Sequence, residues 1–100
     1  MNRELLSIRL EKVFGATATE RRVVVRQAGD LYDSGKYRAD HDSRLTVDVI
    51  IANLSEAPDD YDLVERWNWW IGAMDLAHEG YQPFLIRRLD GGDNVNPPDR

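Results

Sequence analysis

Asp75 and His78 stand three residues apart, the carboxylate-x-x-histidine spacing that sets two metal-ligating side chains on one helix face. Sites of that kind need further carboxylates from neighbouring helices, and the nearest ones in sequence, Asp62 and Glu65, point elsewhere on a helical wheel. A hydrogen-bonded histidine at the edge of a core is the simpler reading of His78. The run "DHD" at residues 40–42 offers three more ligand atoms, but adjacent side chains rarely converge on one ion. Ser7, Ser34, Ser43 and Ser55 sit in no nucleophile-elbow pattern, and no phosphate-loop or dinucleotide glycine motif is present. No catalytic residue is nominated and no cofactor is called for; a metal-dependent enzyme on Asp75 and His78 is the weakest of three functional readings.

The second chemistry on offer is anion binding. Arg21, Arg22 and Arg26 form a basic patch at the start of a helix, and the spacing lets Arg22 and Arg26 share a face. This is the basis of the runner-up reading, a nucleic-acid-associated regulator. Two features count against it. No aromatic residues interleave with the arginines, and the connection that follows is too long for the tight turn of a helix-turn-helix. Arginines paired with neighbours such as Glu20 and Asp30 would explain the same residues.

Composition sets the environment in which either chemistry would operate. The 100 residues carry a formal charge of −5, made of twelve Asp and six Glu against eleven Arg and only two Lys. Carboxylates hold water and cations strongly, so this balance suits a protein kept soluble in concentrated salt, although a GC-rich genome would give the same Arg-for-Lys bias. In such a medium the Debye length falls to ~3 Å at 1 M, and long-range attraction to a nucleic acid is heavily screened. Cysteine is absent, which removes disulfides, thiolate catalysis and cysteine-ligated metals. The N-terminal "MNRELLSIRLEKVFG" is too charged for a secretory signal, and no apolar run approaches the roughly 20 residues of a membrane span. The expectation is a cytoplasmic protein with no membrane contact.

The elements that must position these residues read as helices. Asn2 is a cap for an amphipathic helix over residues 3–14, ended by Gly15, although the alternation Leu6, Ile8, Leu10 also permits a strand. "TATE" is a capping box, Thr17 with Glu20, so a second helix begins near Ala18 and stops at Gly35. Residues 36–44, "KYRADHDSR", show no apolar period and read as a connection. Thr46 caps a short third helix ending near Leu54, with its β-branched residues keeping a strand in competition. Pro58 breaks the chain, and the longest helix runs from about residue 62 to 79. "FLIRRL", residues 84–89, reads as one extended strand that would need a partner, and a two-fold related copy is an economical one.

Within the longest helix lies "WNWW", three tryptophans in four positions. At about 100° per residue, Leu63, Val64, Trp67, Trp70, Ile71, Met74, Ala77, His78 and Tyr81 fall on one broad face, while Trp69, Ala73 and Leu76 fall opposite at i, i+4, i+7. Trp67 and Trp70 are therefore core residues. Trp69 must be covered either by another element of the chain or by another chain, and Gly72 and Ala73 beside it would let a second backbone approach. The helix's polar residues Glu65, Asp75 and Glu79 are wrong for a membrane surface, where Lys and Arg are used.

The segments "VFGATATERRVVVRQAGDLYDSGKY", "LTVDVIIANL" and "APDDYDLVERWNWWIGAMDLAHEGY", in this order, resemble a family of small haloarchaeal proteins of unknown function, over residues 5–89. The resemblance implies a saline archaeal cytoplasm. It assigns no catalytic or binding residue.

The sequence thus predicts a mostly α protein: a small four-helix domain over residues 1–89 with one short C-terminal extended strand, and an acidic, disordered Gly/Asn/Pro tail at 90–100. Its leading functional expectation is an interaction or regulatory protein acting as a homodimer, with Trp69, Ala73 and Leu76 at the contact.

Overall fold

The computed structural model describes residues 1–87. They form five α-helices: α1 (Arg3–Phe14), α2 (Ala18–Ser34), α3 (Lys36–His41), α4 (Val47–Leu54) and α5 (Leu63–His78), followed by a 3-10 turn, Gln82–Phe84. Helix α2 packs on α1 and α5, and α4 packs on the same two, so four helices close a ring around one core while the short α3 leans on α2.

Each boundary has a local cause. Asn2 Oδ1 accepts from the Leu5 amide at 2.9 Å, and Gly15 takes φ 63° to return its N–H to Glu11. Thr17 and Glu20 make a complete reciprocal capping box, which is why three consecutive valines do not turn α2 into a strand. Asp62 and Glu65 repeat the device at the start of α5. In α4 the competition between strand and helix is decided by spacing. Val47, Ile50, Ile51 and Leu54 are all buried, an i, i+3, i+4, i+7 set that only a helix presents to one side. The α4 carbonyl end is satisfied by Arg66, which donates to Leu54 O at 3.0 Å and to Tyr61 O at 3.1 Å. Arg66 thus caps α4, with its guanidinium 4.9 Å from the Phe14 ring centre.

Two expectations are corrected. Residues 36–41 are helical, so the connection read over 36–44 contains a fifth helix. A six-residue helix that buries only Tyr37 leaves no apolar period to detect. The strand expected over 84–89 is not formed in its described part. Phe84 ends the 3-10 turn, residues 85–87 belong to no ladder, and no strand occurs among the described residues. The backbone that would have needed a strand partner is taken by a side chain instead, as set out below. Arg88, Leu89 and the tail expected at 90–100 lie outside the described residues.

The core collects side chains from every helix. Leu6 and Leu10 of α1, Val24, Ala28 and Leu31 of α2, Ile50 and Leu54 of α4, and Trp67 and Ile71 of α5 are all fully buried, joined by Tyr81 beyond α5. Each large apolar side chain moved out of water in this way stabilises the fold by roughly 1.5–3 kcal/mol. Ala77, grouped with the core face by the wheel, is exposed, because α5 ends one residue later.

Candidate functional site

Three of the four residues 67–70 have an internal task. Trp67 is buried, its indole N–H donating to Phe84 O at 2.8 Å and its ring edge-on to Trp70 with centroids 5.6 Å apart. Asn68 faces Ile86, donating through Nδ2 to Ile86 O and accepting at Oδ1 from the Ile86 amide, both at 2.8 Å. Its amide does what a strand partner would do for one residue, and the tripeptide from Phe84 to Ile86 is fastened to α5. Trp70 packs in the core beside Tyr37.

Trp69 has no such task. It is 38% exposed, Ala73 is exposed, and Leu76, on the same stripe, is 89% exposed. A Cβ added at Gly72 would meet nothing within 4 Å. Trp69 is thus partly covered by the described residues, while Ala73 and Leu76 stand open.

The arginines lie between α1 and α2. Arg21, Arg22 and Arg26 of α2 line a groove of about 440 Å³ with Arg3 and Ser7 of α1, and Asp30 is its one acidic residue. Arg21 is held from within the protein, Nε donating to Ser7 Oγ at 3.2 Å and a terminal nitrogen to Ala16 O at 2.6 Å, with Glu11 at 3.9 Å. Arg3 pairs with Asp33 at 3.0 Å and lies across Gly29, where a Cβ would fall 2.7 Å from Arg3 Cζ. Arg22 and Arg26 make no hydrogen bond or ion pair with other described residues, so the expected pairing with Glu20 and Asp30 is not realised.

The metal candidates are brought into a different arrangement. Asp75 is a turn cap, Oδ1 accepting from the Tyr81 amide at 2.9 Å. His78 sets its ring edge-on to His41, centroids 4.7 Å apart, and His41 in turn stacks on Tyr37 at 4.0 Å. Among the described residues no group of three or more His, Asp or Glu side chains is placed to hold a metal ion. Beside this pair Lys36 Nζ lies 3.0 Å from Asp40 Oδ2 and 5.0 Å from the centre of the Tyr81 ring. Lys36, and then the Tyr81 hydroxyl, hold the Asp40 carboxyl below its ordinary value. Burial, and then the Asp40 carboxylate, push the Tyr81 phenol well above its own. Asp40 Oδ2 and Tyr81 Oη make no well-aligned hydrogen bond, so charge and packing hold this cluster together.

What these features define is a small helical protein whose tryptophan tetrapeptide fastens the chain after α5 while offering one tryptophan outward. The chain belongs to the WNWW domain family, whose model matches residues 1–75. The tetrapeptide spelled by that description occupies residues 67–70 here. Neither a curated protein nor a solved structure matches the chain.

The clasp by Asn68, the entry of Arg3 into the arginine groove and the meeting of His41 with His78 were not readable from spacing. Each joins residues at least 18 positions apart in sequence. Gly29, a helix-interior glycine with a bulky arginine to accommodate, is the one local signal of the second.

Proposed function

We propose that this protein is an interaction or regulatory module that acts as a homodimer through the outer face of α5, in the salt-rich cytoplasm of a haloarchaeon. The observation that supports this reading is the stripe of Trp69, Ala73 and Leu76, an apolar i, i+4, i+7 row in which all three residues are exposed to solvent. A second copy is the occupant that fits. The row is continuous along one helix, Gly72 and Ala73 leave room for a facing backbone, and two such helices related by a two-fold axis present the same surface to one another. A stable contact needs about 800 Å² from each partner, so it runs the length of α5, about 24 Å for 16 residues, rather than stopping at three side chains. Glu65 and Glu79 flank the stripe and would repel across it in dilute buffer. Molar salt screens that repulsion and favours the apolar contact.

Tryptophan fluorescence gives a direct test, because Trp67 and Trp70 are buried and Trp69 alone is open to a quencher. In molar KCl, acrylamide quenching is expected to fall as protein concentration rises. Quenching independent of concentration would count against the reading.

A further inference from the structure

We propose that the groove between α1 and α2 binds a small oligophosphate anion, such as pyrophosphate or the phosphate chain of a nucleotide. Four arginine side chains line it from two helices, with Asp30 in the lining and with Asp33 and Glu11 beside Arg3 and Arg21. They divide into two kinds. Arg21 is held by Ser7 and Ala16 O, and Arg3 pairs with the exposed Asp33 and lies over Gly29. The second terminal nitrogen of Arg21 makes no hydrogen bond among the described residues and remains available to a ligand. Arg22 and Arg26 stand one helical turn apart with no acidic partner among the described residues. Like charges at i, i+4 destabilise a helix, and the neighbouring Arg3 and Arg21 add to that repulsion. An anion in the groove removes it and receives the paired N–H donors that match phosphate oxygens.

Size and surroundings select the ligand. About 440 Å³ is the volume of a small-molecule site. The apolar lining comes from Ala18 and Val25, without an aromatic face on which a base could stack, so the phosphate rather than the base is what the groove reads. The whole chain carries a formal charge of −5 although the groove itself is strongly basic, so the remaining surface is more acidic still. A long polyanion leaving the groove would run onto that surface. A compact one would not.

The test is calorimetric titration of the full chain with sodium pyrophosphate, beside the Arg22→Gln/Arg26→Gln variant and a charge-matched control, Arg38→Gln/Arg87→Gln, whose arginines are exposed elsewhere. Saturable binding at one site is expected, weakened about tenfold or more in the groove variant, unchanged in the control, and reduced by added KCl. Circular dichroism verifies that each variant keeps its helices. Three results would overturn the proposal: no saturable binding at millimolar pyrophosphate, equal binding by the groove variant, or tighter binding of a single-stranded oligonucleotide that is lost with the same two arginines. The last would assign the groove to a nucleic-acid backbone.

Discussion

The Asn68 side chain and the Ile86 backbone form a closed pair of hydrogen bonds, donor to acceptor in both directions and both 2.8 Å long. The side-chain amide replaces the neighbouring strand that an isolated extended segment would otherwise require. Replacing Asn68 with Ala leaves the Ile86 amide and carbonyl without these partners while Ile86 itself is buried. At about 0.5–1.5 kcal/mol for each bond, with more for a polar group left unsatisfied, the expected loss is roughly 2 kcal/mol. Urea unfolding measures it. Hydrogen exchange at the Ile86 amide is expected to accelerate more than exchange in α1 or α2.

Tyr81 and Asp40 give the protein a stability profile that falls at both ends of the pH scale. The Tyr81 phenol is held protonated above its ordinary pKa of 10.0, and Tyr37, raised by burial, acts in the same direction. Above about pH 10 the unfolded chain releases these protons while the folded one retains them, so stability is full below that value and declines as pH rises. Asp40 works in the opposite direction. Its carboxyl is depressed from 3.8, chiefly by Lys36, so its contribution is present above that value and lost as pH falls below it. Unfolding midpoints of Tyr81→Phe are expected to vary less with pH above 10 than those of the natural chain, and those of Asp40→Asn less below pH 4.

Gly72 lies in the interior of α5 with open space where its side chain would be. Alanine there keeps the helical backbone, meets no neighbour and removes the entropic penalty of glycine. Gly72→Ala is therefore expected to stabilise the dilute monomer by about 1 kcal/mol, read from urea or thermal unfolding. A loss of stability would show that the position is more closely packed than the backbone around it implies.

Much of this architecture was readable in local signals. Asn2, Thr17, Glu20, Gly15, Gly35 and Thr46 mark helix ends through bonds that span only three or four residues, and every one of those caps is made. The wheel likewise separated Trp67 and Trp70 from Trp69, because a side chain's direction on a helix is a local property. What escaped depends on distance or brevity. Helix α3 buries a single side chain and has no period. The segment after Pro83 looked like a strand since its composition is apolar, and composition carries no information about Asn68 waiting 18 residues earlier. The arginine patch was legible as three residues of α2, whereas its fourth member, Arg3, reaches it only because α1 packs on α2 and Gly29 leaves room.

Trp69 and Leu76 carry the central claim, and sedimentation equilibrium of the full chain in molar KCl tests it most directly. The expected result is a dimer that becomes a monomer in Trp69→Ala/Leu76→Gln, with helical content unchanged because both side chains are exposed. A natural chain that stays monomeric at high concentration, or a dimer that survives the double substitution, would contradict the claim.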